Sequence, residues 1–194
     1  FPPTQHSLIE RLQSAHADVR TVAFDDVVEV YWKPVYKHLR IKWRLTPEDA
    51  EDLTQGFFLG ALEKGWLTEY ESGTARFRTY VRLCADRFVM KWQQSAGRQK
   101  RGGGSSRVSL DFPDAEHELA RAGAATPAEA EDFFRLEFVR ALFQRSVSAV
   151  RQECDRERRA VAFRLFERYE LDPPDDVSYA SLAEEFGLTT TQVT

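Results

Sequence analysis

The sequence predicts an almost wholly α-helical fold, divided into two small helical domains by a flexible linker. Three observations predict it. Period-two alternation of apolar and polar residues is nearly absent, whereas apolar residues recur at helical spacing along most of the chain. Gly102-Gly103-Gly104-Ser105-Ser106 has the composition of a flexible linker, and the acidic, alanine-rich stretch that follows to Pro127 has no strong periodicity and extends it. Finally, 194 residues allow one large domain or two small ones, either of which can bury a sizeable core. The expected domains are 1–98 and 128–194, joined by 99–127.

After a weak opening segment, Phe24 to Arg44 reads as a helix interrupted or bent at Pro34, with Val27, Val28, Tyr31, Val35, Leu39 and Trp43 apolar. A second helix starts at Thr46-Pro47, where Thr46 suits the N-cap and Pro47 the first helical position. Its stripe is Ala50, Leu53, Phe57 and Ala61, and Gly65 is its stop. The loop from Trp66 to Thr74 holds the turn signal Ser72-Gly73. A third helix runs from about Ala75 to Gln94. Helices resume from Ala128 to Cys154, with Leu136, Val139, Phe143, Val147, Val150 and Cys154 on one face, and from Glu157 to Tyr169. Asp172-Pro173-Pro174-Asp175-Asp176 breaks the pattern, and Ser178 to Thr194 reads as a short helix, a glycine turn and the start of another helix.

The net charge of −4 argues against a generic nucleic-acid coat, but the charge is segregated. From Arg76 to Arg101 the chain is basic, with Asp86 the one acid. From Asp111 to Asp132 it is acidic, with Arg121 the one base. Such blocks suggest separate partners for separate segments. Cys84 and Cys154 have neither metal-ligand spacing nor a disulfide framework, which favours a reducing, cytoplasmic setting. No apolar run is long enough for a membrane span, and no signal-peptide pattern opens the chain. A first residue of Phe1, and an end inside a helical pattern, predict further residues at both termini.

The third helix is the most informative segment. At about 100° per residue, Phe77, Val81, Cys84, Phe88 and Trp92 form a candidate core face. Arg76, Tyr80, Arg87, Lys91, Gln94 and Arg98 form a separate, nearly axial stripe, which continues into Lys100, Arg101 and Arg107. Cations interleaved with an aromatic ring suit a nucleic-acid strand: cations follow phosphates and the ring stacks on a base, worth roughly 1–3 kcal/mol. The second helix has the opposite sign. Glu48, Asp49, Glu51, Asp52 and Gln55 cover the side away from Leu53 and Phe57. The helix dipole accounts for acids in the first turn; the later ones point to a cationic protein partner.

At the C-terminus, Tyr179 to Thr189 has a helix-turn-helix pattern: Leu182, Ala183 and Phe186 inside, Gly187 at the turn, and Thr189 capping the next helix. Thr189, Thr190, Thr191 and Gln192 would then lie near base edges in a major groove. The Gly run at 102–104 lacks phosphate-loop spacing. His6, His16, His38 and His117 are dispersed, and no Ser or Cys stands with a base and an orienting acid. No catalytic residue, metal site or cofactor is expected, and the chain is not expected to be an enzyme.

Taken in order, these segments resemble a family. Pro47-Glu48-Asp49-Ala50-Glu51-Asp52-Leu53-Thr54-Gln55 followed by Phe57-Phe58-Leu59-Gly60-Ala61-Leu62 is similar to the region-two signature of the extracytoplasmic-function (ECF) sigma factors of bacterial RNA polymerase. Phe77-Arg78-Thr79-Tyr80-Val81 and the basic end of that helix continue the match, and Ser178-Tyr179-Ala180-Ser181-Leu182-Ala183 resembles the helix-turn-helix of region four.

The resemblance implies a promoter-specificity subunit with a region-two bundle and a region-four helix-turn-helix domain. Asp49, Glu51, Asp52 and Gln55 would dock on core polymerase. The loop 68–74 with Arg76, Arg78, Tyr80, Arg87, Lys91 and Arg98 would hold the melted minus-ten strand, and the C-terminal helix would read the minus-thirty-five element. The acidic linker would thread the polymerase channels. An anti-sigma factor or a Ser/Thr kinase would be a further partner, the kinase acting at Thr54, where phosphate would add charge to the acidic patch. Gly56 departs from the pattern, standing where the family usually has an acid. Two other readings are a stand-alone helix-turn-helix regulator, which leaves the two charged helices unexplained, and a purely structural helical adaptor.

Overall fold

The computed structural model describes residues 5–95, 110–123, 125–173 and 178–193. Among the described residues the fold is all-α, with no strand. They group into two compact units, the first ending at Phe143 and the second beginning at Gln144.

The spine of the first unit is α2 (Ala17–Lys42), against which α1 (Gln5–Leu12), α3 (Pro47–Lys64), α4 (Phe77–Ser95) and α5 (Phe112–Ala122) all pack. Centrality explains the composition of α2: Ala23, Val27, Tyr31, Val35, Tyr36 and Leu39 are almost fully buried, so it is apolar on more than one side. It begins before the expected Phe24, and it runs through Pro34 without a break. A proline inside a helix forfeits one backbone hydrogen bond and costs about 3 kcal/mol; here the ring is buried, and packing offsets that cost.

The start of α3 follows the sequence reading. The Thr46 side chain accepts a hydrogen bond from the Asp49 amide, and Pro47 occupies the first turn. Gly65 ends the helix at φ 67°, a left-handed conformation that favours glycine. Ala50, Leu53, Phe57 and Ala61 are buried as expected, together with Phe58 and Thr54.

Three packing expectations are corrected. In α4 the innermost row is Phe77, Val81, Ala85 and Val89, while Cys84, Phe88 and Trp92 are only half-buried. Periodicity had merged two adjacent rows of one helix. In α6 (Ala130–Arg156) the buried residues are Ala130, Phe134, Glu137 and Phe138. Of the residues expected to share one apolar face, Leu136, Val139, Phe143 and Val150 are exposed, and Val147 and Cys154 are half-buried.

The third correction concerns the linker. Residues 99–109 lie outside the described residues, but 112–122 form α5, an 11-residue helix capped by Asp111, whose carboxylate accepts from the Asp114 amide at 3.1 Å. Phe112 and Ala115 are buried, and the hydrophobic core takes in both, along with Phe134 and Phe138 of α6. The break between units therefore falls at Phe143–Gln144 instead of within 99–127. Helix α5 is amphipathic: Phe112 and Ala115 are buried and Leu119 is half-buried, at a helical spacing that lies within the stretch expected to be linker.

In the second unit, α7 (Ala160–Phe166) runs into a widened π-helical turn over Glu167–Leu171, followed by α8 (Tyr179–Phe186) and the short α9 (Thr190–Val193). Phe163, Leu182 and Ala183 are buried. The Arg151 guanidinium stacks on Phe163 at 4.9 Å and pairs with Glu167, while Tyr169 stacks on Tyr179 at 5.2 Å.

Candidate nucleic-acid interface

The half-buried row of α4 does not sink into the core; it forms the wall of an open groove. Gly65 turns the chain at the end of α3, and the following 3₁₀ turn, Trp66–Glu69, brings Trp66 against α4. The Trp66 ring sits 5.9 Å from Phe88 and 6.2 Å from Phe57. The Tyr80 hydroxyl donates to the Trp66 carbonyl at 2.7 Å and fixes the turn to α4. Trp66, Tyr80, Cys84, Phe88 and Trp92 then line a groove of about 510 Å³, with Lys64, Arg87 and Lys91 along it. Arg87 and Lys91 are exposed, and the Lys64 ammonium lies 5.6 Å from the Trp66 ring centroid. Glu69 is the one acid in the lining.

Two titratable groups of this groove are held neutral. Burial, reinforced by the Cys84 thiol, pushes the Tyr80 phenol up to about 12, so it remains a donor. Burial also raises the Cys84 thiol, which keeps it from acting as a thiolate nucleophile. The surface thus combines aromatic walls with fixed positive charge, the chemistry of a single-stranded nucleic-acid track.

The tight approach of α3 to this groove depends on small residues. A Cβ at Gly60 would lie 2.9 Å from the Trp66 ring, and one at Gly56 would lie 3.4 Å from Phe88. Gly56 is thus where the Phe88 ring passes close to the α3 backbone. Gly60→Ala should force the Trp66 ring to shift. Overpacking of this size costs roughly 1–3 kcal/mol, partly offset by about 1 kcal/mol of helix propensity. Urea unfolding should show a net loss of about 1 kcal/mol and tryptophan emission should change; a stabilised variant with unaltered emission would contradict the packing.

The other sequence-predicted residues fall in several places. Arg76 is exposed at the entrance to α4, and its carbonyl accepts from the Thr79 and Tyr80 amides. Arg78 is corrected: it is half-buried, with its guanidinium 6.0 Å from the Phe138 ring of α6, so it does not share the groove with Arg87 and Lys91. Arg98, Lys100, Arg101 and Arg107 lie outside the described residues. The loop 68–74 is braced by the Gln13 side chain, which donates to the carbonyls of Thr68 and Tyr70, and by the Tyr70 hydroxyl bonded to the Ala75 carbonyl.

On α3, Glu48 and Asp52 are exposed, and Asp49, Glu51 and Gln55 are partly covered. Partial burial and the nearby charges of Glu48, Asp52 and Glu116 raise the Glu51 carboxyl above its ordinary range, which favours an incoming cation. Thr54 is corrected as a modification site: its side chain is fully buried and its hydroxyl has no hydrogen-bond partner, so a kinase would have to unfold α3 to reach it.

In the second unit, α8 is capped by Ser178 and closed by Gly187 at φ 64°, as expected for the turn. Thr189, Thr190, Thr191 and Gln192 are exposed. The Gln192 side chain, however, accepts from the Thr189 amide at 2.9 Å and hydroxyl at 3.0 Å, so it caps α9 in this conformation.

Sequence reasoning missed Lys64, the last residue of α3, and Trp66 in the turn that follows, and assigned Phe88 and Trp92 to the core. The available signal was the Tyr80–Cys84–Phe88–Trp92 row, two of whose members are amphipathic aromatics suited to a half-wet wall. No protein-family model matches the chain, and no curated protein or solved structure does either. Among the described residues no helix is long and apolar enough to cross a membrane.

Proposed function

We propose that the chain is an ECF-type sigma factor that docks on bacterial core RNA polymerase through α3, holds melted minus-ten DNA along α4, and reads the minus-thirty-five element with the α8–α9 unit. It is a binding subunit without catalysis of its own, working in the cytoplasm. The observation that carries this reading is the groove: Trp66, Phe88 and Trp92 lie beside Lys64, Arg87 and Lys91, while the neighbouring α3 exposes carboxylates. A strand with splayed bases needs rings to stack on and cations along its phosphates, and a cationic protein partner needs the acidic face. Two surfaces of opposite sign on adjacent helices fit a protein that bridges a polymerase and DNA.

The test is run-off transcription by purified core polymerase on a pool of genomic fragments, with and without the chain. The expected result is a set of new transcripts whose start sites share one upstream sequence pattern. An identical transcript population with and without the chain, at saturating concentration, overturns the proposal.

A further inference from the structure

The acidic stretch expected to act as linker is seated on α2 by a contact that looks reversible in its physics. An isolated helix shorter than roughly 12–15 residues is marginal in water, so the 11 residues of α5 are helical because they are docked. Its apolar hold is one buried ring and one buried alanine, with Leu110 and Leu119 partly covered. Phe112 sits 5.5 Å from the Trp32 ring and 5.0 Å from Tyr36, and Ala115 is buried beside it.

The rest of the hold is electrostatic and of one sign. Lys33 donates to Asp114 at 2.7 Å and to Glu118 at 2.9 Å. Lys37 donates to Glu118 at 2.6 Å and to Glu137 of α6 at 2.5 Å. Arg40 grips Glu116 with two nitrogens, at 2.6 and 3.0 Å, and the Tyr36 hydroxyl donates to the same carboxylate at 2.8 Å. The Asp114 side chain is 46 % exposed and those of Glu116 and Glu118 about a quarter, so salt weakens their pairing.

What α5 covers is a row of cations one turn apart on α2. Lys37 is only 1 % exposed beneath it. The row borders the start of α3: Arg40, which grips Glu116, also donates to the Leu45 carbonyl, one residue before the Thr46 cap, and the Glu116 charge is felt at Glu51. A cationic partner arriving at the Glu51 side of α3 stands beside the α5 acids, and its own positive groups are suited to replace Lys33 and Arg40 as their counter-charges.

We propose that the Lys33–Lys37–Arg40 row is a seat for an acidic helix, that α5 fills it reversibly in cis as a latch, and that the closed latch restricts access to the docking face of α3. The last part rests on the reading of α3 as the polymerase-docking face. Ordinary local opening releases the latch; the remainder of the first unit stays folded.

Amide hydrogen exchange on the unaltered chain tests the opening directly. The α5 amides should exchange at least about 100-fold faster than those in the centre of α2, and faster again in about 0.5 M salt. Equal protection of α5 and α2 overturns the proposal without any variant. Asp114→Asn/Glu116→Gln/Glu118→Gln should bind core polymerase about tenfold more tightly, since the apparent Kd is the intrinsic Kd divided by the open fraction, which the variant raises. Unchanged or weaker binding, with α2–α4 exchange as in the parent, overturns the latch. Asp52→Arg separates the two readings: if it weakens polymerase binding and the latch variant changes nothing, the latch alone fails. If Asp52→Arg leaves binding intact, the docking face fails and takes the role of the latch with it.

Discussion

Arg87→Glu combined with Lys91→Glu is expected to abolish retention of single-stranded promoter DNA while leaving polymerase docking unchanged. Both side chains are exposed along the groove lined by Trp66, Tyr80, Phe88 and Trp92, so their reversal leaves the core intact. Each phosphate contact on a single strand contributes a salt slope of about 0.7 in log–log form. Losing two contacts should therefore flatten the slope by about 1.4, and reversing the sign adds repulsion on top. The measurement is fluorescence anisotropy of a labelled oligonucleotide with the polymerase-bound chain, across a salt series. At low salt we expect a loss of about 100-fold or more, shrinking as salt rises. Trp66→Ala should act differently, lowering affinity by the roughly 1–3 kcal/mol of one stacked base with an unchanged salt slope. A doubly reversed variant with the parent's affinity and slope would remove the groove from the function.

Much of this arrangement was legible in the sequence, and the parts that were not share a cause. The caps of α3 and α8 were readable because capping is local: Thr46, Pro47, Gly65, Ser178 and Gly187 act within a few residues of themselves. The buried stripe of α3 was readable because one face of that helix packs. In α4 the inner row and the groove row differ only by a small rotation, and composition does not say which aromatic faces water; a neighbouring segment, the turn at Trp66, decides it. In α5 the deciding partners are Lys33, Lys37 and Arg40, some eighty residues earlier in the chain. A charge block read alone looks like a solvated tail; read beside a cationic helix it becomes a docked element. Thr54 failed for the same reason, since its place among acids concealed that it faces Leu53 and Phe57's side of the helix and is buried with them.

Asp86, the single acid of the basic block, is expected to produce the largest stability effect in the first unit. It sits on α4 next to Arg87 yet points the other way, into α2, and is almost fully buried. Its carboxylate lies 2.9 Å from His38 Nε2 and accepts from Trp43 Nε1 at 2.9 Å and Lys42 Nζ at 2.7 Å, with Arg82 at 3.5 Å. Burial by itself would raise this carboxyl. The hydrogen bonds from His38, Lys42 and Trp43 outweigh it and hold the group down at about 2. Asp86→Ala leaves those donors facing a cavity with no counter-charge, which costs roughly 3–5 kcal/mol for a broken buried pair. Asp86→Asn, which keeps the volume and an acceptor, should cost less. The sign of the pH dependence follows from the lowered value. The stabilisation, about 2 kcal/mol, is fully present above the unfolded carboxyl's range near 4 and is lost as pH falls towards 2. Urea unfolding between pH 5 and pH 2 should therefore show a steeper slope in the parent than in Asp86→Ala, whose remaining slope comes from other lowered carboxyls such as Glu116 and Glu118. A variant within about 1 kcal/mol of the parent, or one with the same acid slope, would show that the network does not hold α4 in place. Since α4 carries the groove on its outer side, any slackening of this inner anchor should also blunt DNA retention, even with Arg87 and Lys91 untouched.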